Sequence, residues 1–228
     1  AVLGWRLLPE TGGASQGRGA AAILRNYRRL LVSPAFLGYA IGGGCATTAM
    51  YAFLSAAPFI FTGELGRPAH EVGLYLGVVV LGVWLGNFGA SRMAGRVATA
   101  HLLVRGNLLS LAAALVFLGT VLAGHLTVPV TLVTMALFTM GAGLAGAPAL
   151  AEALSVDPAI AGSASGLYGF TQMAIGAICT ALAGLGHHPS LSAGLVLAAA
   201  GIGGQVCFAI ALRAPRAMPG GAPMGMHR

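Results

Sequence analysis

From residue 35 to residue 61 the chain runs without a charged side chain. Five further apolar runs follow, at about 72–90, 102–123, 128–151, 162–185 and 191–212, separated by short connectors rich in Gly, Pro and charge. Apolar positions within each run are continuous and do not alternate with period two, which excludes the strands of a membrane barrel. Each run reaches the roughly 20 residues that a helix needs to cross a bilayer, so the pattern predicts six transmembrane helices. The first run is long enough to cross with tilt or with a kink at Pro58. Ahead of it, Gly12, Gly13, Gly17 and Gly19 give way to Arg25, Tyr27, Arg28 and Arg29. That order reads as a flexible segment followed by a short basic amphipathic helix lying on the membrane surface. The tail from Arg213, rich in Pro, Gly and Met, reads as disordered. The chain thus divides into an N-terminal segment (1–34), a six-helix bundle (35–212) and a tail (213–228).

Composition makes lipid the required solvent. Of the 228 residues 7% are charged and 57% hydrophobic, with a mean hydropathy of +0.86. A soluble domain carries about 25% charged residues. All twelve basic residues are Arg. With six spans, eleven of them fall on the side of the two termini and only Arg67 on the other, which by the positive-inside rule predicts that both ends are cytoplasmic. The net charge of +7 does not imply nucleic acid, because the Arg residues are spread over connectors and form no basic face interleaved with aromatics. Cys45, Cys179 and Cys207 lie inside apolar runs, with no Cys-x-x-Cys spacing, and read as packing residues. An opening Ala without signal-peptide order suggests a processed chain or a fragment.

Small residues recur at helical spacing, as Gly38/Gly42, Gly73/Gly77, Gly82/Gly86, Gly162/Gly166 and Gly194/Ala198. In lipid such pairs allow close backbone approach; they fit either a tight static bundle or faces that let helices rock. Gly141, Gly143, Gly146 and Pro148 mark a bend in the fourth run, static or moving. No ionisable residue falls at mid-depth. Two polar groups do: Thr47, Thr48, Tyr51 and Ser55, and Tyr168, Thr171 and Gln172. They read either as interhelical hydrogen-bonding residues or as one wall of an amphiphilic pocket, with Met50, Phe53, Phe170 and Met173 as adaptable apolar contacts. An enzyme is not expected. The sequence Gly162-Ser163-Ala164-Ser165-Gly166 approaches an intramembrane serine protease arrangement, but Ala replaces the nucleophile and no His is expected inside a span. His187 and His188 have no carboxylate companions for a metal, and no cofactor is implied.

Ser55-Ala56-Ala57-Pro58-Phe59-Ile60-Phe61, Ala161-Gly162-Ser163-Ala164-Ser165-Gly166 with Gln172, and the weaker Leu8-Pro9-Glu10-Thr11 together resemble the C-terminal half of a major facilitator superfamily transporter, of the Bcr/CflA-type drug efflux branch. The resemblance implies an all-α membrane protein, a six-transmembrane-helix bundle equivalent to the last six helices of that fold. Residues 1–34 would then hold the end of a preceding helix and the cytoplasmic central loop. It implies alternating-access export of amphiphilic drugs, by proton antiport, with the missing N-terminal six-helix half as partner and the length as half of a protein. Tyr51, Ser55, Phe59, Tyr168, Gln172 and Met173 would line the substrate cavity, and Asn87, Arg92 and Arg96 would form the cytoplasmic gate. The family's gating loop runs Gly-x-x-x-Asp-Arg-x-Gly-Arg; here only Gly95-Arg96 clearly match and the Asp is absent, so Arg92 and Arg96 also read as plain positive-inside anchors. The alternative of another class is a non-transporting six-helix subunit that binds a membrane partner through its glycine faces.

Overall fold

The computed structural model describes residues 20–214, and every regular element among them is helical. The glycine-rich stretch before Ala20, the Leu8-Pro9-Glu10-Thr11 segment and the tail beyond Ala214 lie outside the described residues, while Arg213, expected to open the tail, still belongs to the last helix. Helix α1 (Ala20–Leu31) is the expected short basic helix. Ser33 then caps the next helix by accepting from the Phe36 amide at 3.3 Å, with Pro34 at its first position, where a missing amide costs nothing.

The first span, Pro34–Glu64, is built from α2 (Pro34–Thr48), α3 (Met50–Phe59) and a π-helical turn (Ile60–Glu64). Its interruption falls at Ala49, nine residues ahead of the expected kink at Pro58, while Pro58 is carried inside α3 and followed by the wider π turn. Thr47 and Thr48 donate back to the carbonyls of Gly43 (2.6 Å) and Gly44 (2.8 Å). Such back-bonding by hydroxyls bends helices and accounts for the break. The remaining spans are α4 (Ala69–Met93), α5 (Thr99–Leu122), α6 (Val128–Ser155), α7 (Ala161–Gly184), entered through a 3-10 turn at Pro158–Ile160, and α8 (Pro189–Arg213). Together with the first span they make six helices long and apolar enough to cross a membrane. Two of them extend beyond their apolar runs, so that His70 and His101 sit in the first turns of α4 and α5. The expectation of spans without His is corrected there: the backbone ladder continues past the hydrocarbon into the interface, where a polar ring is solvated. Gly95, with φ of 77°, provides the left-handed residue that turns the chain tightly from α4 into α5.

Helix α6 packs along both α4 and α5, α8 along α2 and α5, and α7 along α2 and α3. Two apolar cores result. One, far from α1, stacks Phe53 edge-on to Phe61 and Phe117, with ring centroids 6.4 and 6.0 Å apart. The other, nearer α1, holds Leu30, Phe36, Tyr39, Leu103 and Phe208. At the far end the Ser190 amide at the start of α8 donates to Glu64 Oε1 at 3.2 Å, which ties the last span to the first.

The glycine pairs divide sharply. At Gly82 and Gly86 an added methyl would run into the carbonyls of Ala136 and Met140 on α6, and at Gly38 it would lie 2.6 Å from the carbonyl of Cys207 on α8. Nothing approaches Gly73, Gly77 or Gly162 among the described residues. The bend expected in α6 does not interrupt the helix, which continues unbroken through Pro148. Gly141 and Gly143 instead seat its neighbours, against the backbone of Gly106 and Ser110 on α5 and of Val83 and Asn87 on α4.

Candidate functional site

Four of the six spans line a cavity of about 320 Å³ in the half of the bundle nearer α1. Its wall comes from α2 and the start of α3 (Thr47, Thr48, Met50, Tyr51), α4 (Val83, Asn87), α6 (Ala142 to Leu150) and α7 (Tyr168, Gln172, Met173). Gly143 and Gly146 both line the space: Gly143 brings α6 against α4, and Gly146 lets Thr47 approach so closely that an added Cβ would stand 2.9 Å from its methyl.

The polar atoms of the wall come from residues far apart in sequence. Gln172 Nε2 donates to Thr47 Oγ1 at 2.6 Å, and Thr48 Oγ1 donates to the Gln172 carbonyl at 3.0 Å. These two bonds clasp α2 to α7, each worth about 1 kcal/mol in a membrane setting. Tyr168 is 3% exposed, and its hydroxyl, pressed against Gly43, has no hydrogen-bond partner among the described residues. A desolvated hydroxyl in that state costs about 1–3 kcal/mol. It is the wall's unsatisfied donor.

Tyr51, Tyr168, Gln172 and Met173 are therefore brought together as expected, with Asn87 added to the same wall. Ser55 and Phe59 are not with them. One helical turn and more beyond the break at Ala49, they line a separate cleft of about 420 Å³ at the opposite end, with Thr180, Ala183 and Pro189. Met50 joins the main cavity, whereas Phe53 is sealed in the apolar core and Phe170 faces outward. Asn87 also borders a second space of about 490 Å³ between α4, α5 and α6, lined by Ser91, Gly95, Thr99 and Pro148. Arg92 and Arg96 line neither space: Arg92 lies 4.8 Å over the ring of Phe88, on an outward ladder with Trp84, and Arg96 is exposed in the connector. Sequence reading missed Ser110 and Thr139, which donate across helices to the carbonyls of Phe138 (2.7 Å) and Val79 (2.6 Å). Their only signal is a small hydroxyl in an apolar run. Asn107 and Gln205 do what interhelical polar residues do, donating to Gly201 and Val104 carbonyls at 2.9 and 3.0 Å.

A six-span helical bundle with a polar-lined cavity among its helices has the architecture of half a major facilitator transporter. The chain is similar to such proteins over most of its length. It is 26% identical over 180 residues to an uncharacterized MFS-type transporter, YdgK, of Bacillus subtilis, covering 78% of this chain and 44% of that protein. It is 25% identical over 169 residues to a bicyclomycin resistance protein homolog of Haemophilus influenzae, covering 70% of this chain and 40% of that one. The chain thus spans less than half the length of these curated relatives. No family model matches it. Both relatives bear transporter or resistance names, and the expectation of a multi-pass membrane protein is met by six helices long and apolar enough to cross a membrane.

Proposed function

We propose that the chain forms the C-terminal six-helix part of an efflux transporter that exports small amphiphilic compounds by alternating access. The observation that carries this reading is the cavity between α2, α4, α6 and α7, where Tyr51, Asn87, Tyr168 and Gln172 supply a few polar groups to an otherwise apolar wall. Sites for small ligands have that character, and in two-half transporters they lie between the halves. The two spans containing α4 and α7 support it further. Only 22% of their apolar windows is buried, against 56% for the first span, as fits helices whose outer faces meet another body. The substrate class follows the relative named for bicyclomycin resistance. Among the described residues the cavity has no carboxylate, so proton coupling would fall to groups in the rest of the transporter. Arg placement supports a cytoplasmic α1 end, and Asn87, between the two spaces, is the best-placed gate residue.

The test is co-expression of the chain with a matching N-terminal six-span half in a drug-sensitive host, beside the chain alone. Restored dye efflux only with the pair supports the reading. Efflux by the chain alone, without a two-copy assembly, refutes its status as a half. No efflux in either case, with both parts folded and bound to each other, favours the non-transporting subunit.

A further inference from the structure

Helix α1 meets the bundle with one side only. Leu30 is 1% exposed, inside the core with Phe36, Tyr39 and Phe208. The Tyr27 hydroxyl lies beside Gly166 at the start of α7. Arg29 Nε pairs with Asp157 Oδ2 at 3.0 Å, in the link between α6 and α7, with Arg29 68% exposed and Asp157 15%. The other side is uncovered: Leu24 and Val32 are 71% and 75% exposed, Leu31 is exposed as well, and Arg25 and Arg28 stand beside them. At 3.6 residues per turn, Leu24 and Leu31 fall on one line, Arg28 borders it and Arg25 points further out. The helix carries no acid.

Apolar residues left bare beside arginines that pair with no acid among the described residues have one natural solvent. At the headgroup level the leucines reach acyl chains while the guanidinium groups stay among phosphates, and a basic segment beside a span is drawn to anionic lipid. Arg binds phosphate with the same fork geometry it offers a carboxylate.

We propose that α1 is a docking surface for anionic phospholipid, seating Leu24, Leu31 and Val32 among acyl chains and Arg25 and Arg28 on phosphates, while Arg29–Asp157 pins it to the α6–α7 link. The pin and the lipid hold α1 independently, one through each flank. The proposal rests on the membrane-spanning arrangement alone and stands apart from transport.

The full chain is placed in nanodiscs of phosphatidylcholine, or of phosphatidylcholine mixed with phosphatidylglycerol. Hydrogen exchange is then followed at the amides of residues 22–32, with α8 as internal reference. Anionic lipid slows exchange in α1 several-fold relative to α8. The Arg25→Gln/Arg28→Gln variant loses that gain, and Asp157→Asn keeps it while exchanging faster in neutral discs. Should Asp157→Asn fail to assemble, Arg29→Gln reads the same pin. Equal exchange in the two lipids, or a gain that survives Arg25→Gln/Arg28→Gln, overturns the lipid site. Unchanged exchange of the pin variants in neutral discs overturns the pin.

Discussion

Along the seam between α4 and α6, backbone lies on backbone. Gly82 and Gly86 pass beneath the carbonyls of Ala136 and Met140, and a methyl at Gly143 would stand 2.5 Å from the Val83 carbonyl oxygen. Along the seam between α2 and α7, side chains do the holding: Thr47, Thr48 and Gln172 exchange hydrogen bonds, and a cavity opens beside them. Both seams use small residues, yet they differ in slack. A backbone contact between two rigid ladders has no rotamer to give, whereas a hydroxyl or amide can trade its partner for water or a ligand. Helix α6 serves both, closing against α4 with Gly143 and facing the cavity with Gly146. A rigid pair of helices therefore backs one wall of an adaptable site.

The contrast is broken most directly by filling the backbone seam. Gly86→Leu destabilises the protein by more than about 3 kcal/mol, since overpacking against a main-chain carbonyl cannot be relieved by a rotamer change. Thermal unfolding in detergent, followed by size-exclusion, reads it as loss of the monodisperse peak. Normal folding of this variant would mean the α4–α6 contact is looser than its geometry. At the other seam, Gln172→Ala costs only about 1 kcal/mol of stability. It also changes affinity for an amphiphilic dye several-fold by equilibrium binding, a split that purely structural hydrogen bonding would not produce.

Tyr168→Phe tests the unsatisfied hydroxyl. Removing a buried donor without a partner leaves stability unchanged or raises it by up to about 1 kcal/mol, again measured by melting. A clear loss would show that the hydroxyl is bonded. The smallest effect belongs to the glycines that touch nothing. Gly77→Ala is accommodated without clash and gains at most about 1 kcal/mol from the lower entropy of the unfolded chain; a melting temperature at or above that of the parent is the expected result.

Much of the architecture was legible from order along the chain. The six apolar runs became six spans within a few residues, and Arg25, Arg28 and Arg29 lay on a short separate helix as their spacing predicted. Four of the six cavity residues expected from the sequence converge as well. The failures have a common physics. Ser55 was grouped with Tyr51 on helical spacing and Phe59 by the resemblance, but Tyr51 lies at the start of α3 beside the cavity, and the distance along that same helix carries Ser55 and Phe59 into another cleft. Gly73 and Gly77 have the same spacing as Gly82 and Gly86, yet only the latter pair has a helix against it.

The sequence by itself determined the number of spans, their helical form and the side on which the arginines gather. These are properties of continuous segments in a solvent that forbids unpaired backbone. Only the tertiary structure decided which glycines are seats and which are bare, where the cavity opens, that the Tyr168 hydroxyl has no hydrogen-bond partner among the described residues, and that Arg29 reaches Asp157. Each of those depends on side chains more than a hundred residues apart, or on two helices sharing a neighbour, and packing in three dimensions chooses among contacts that one-dimensional spacing leaves equivalent.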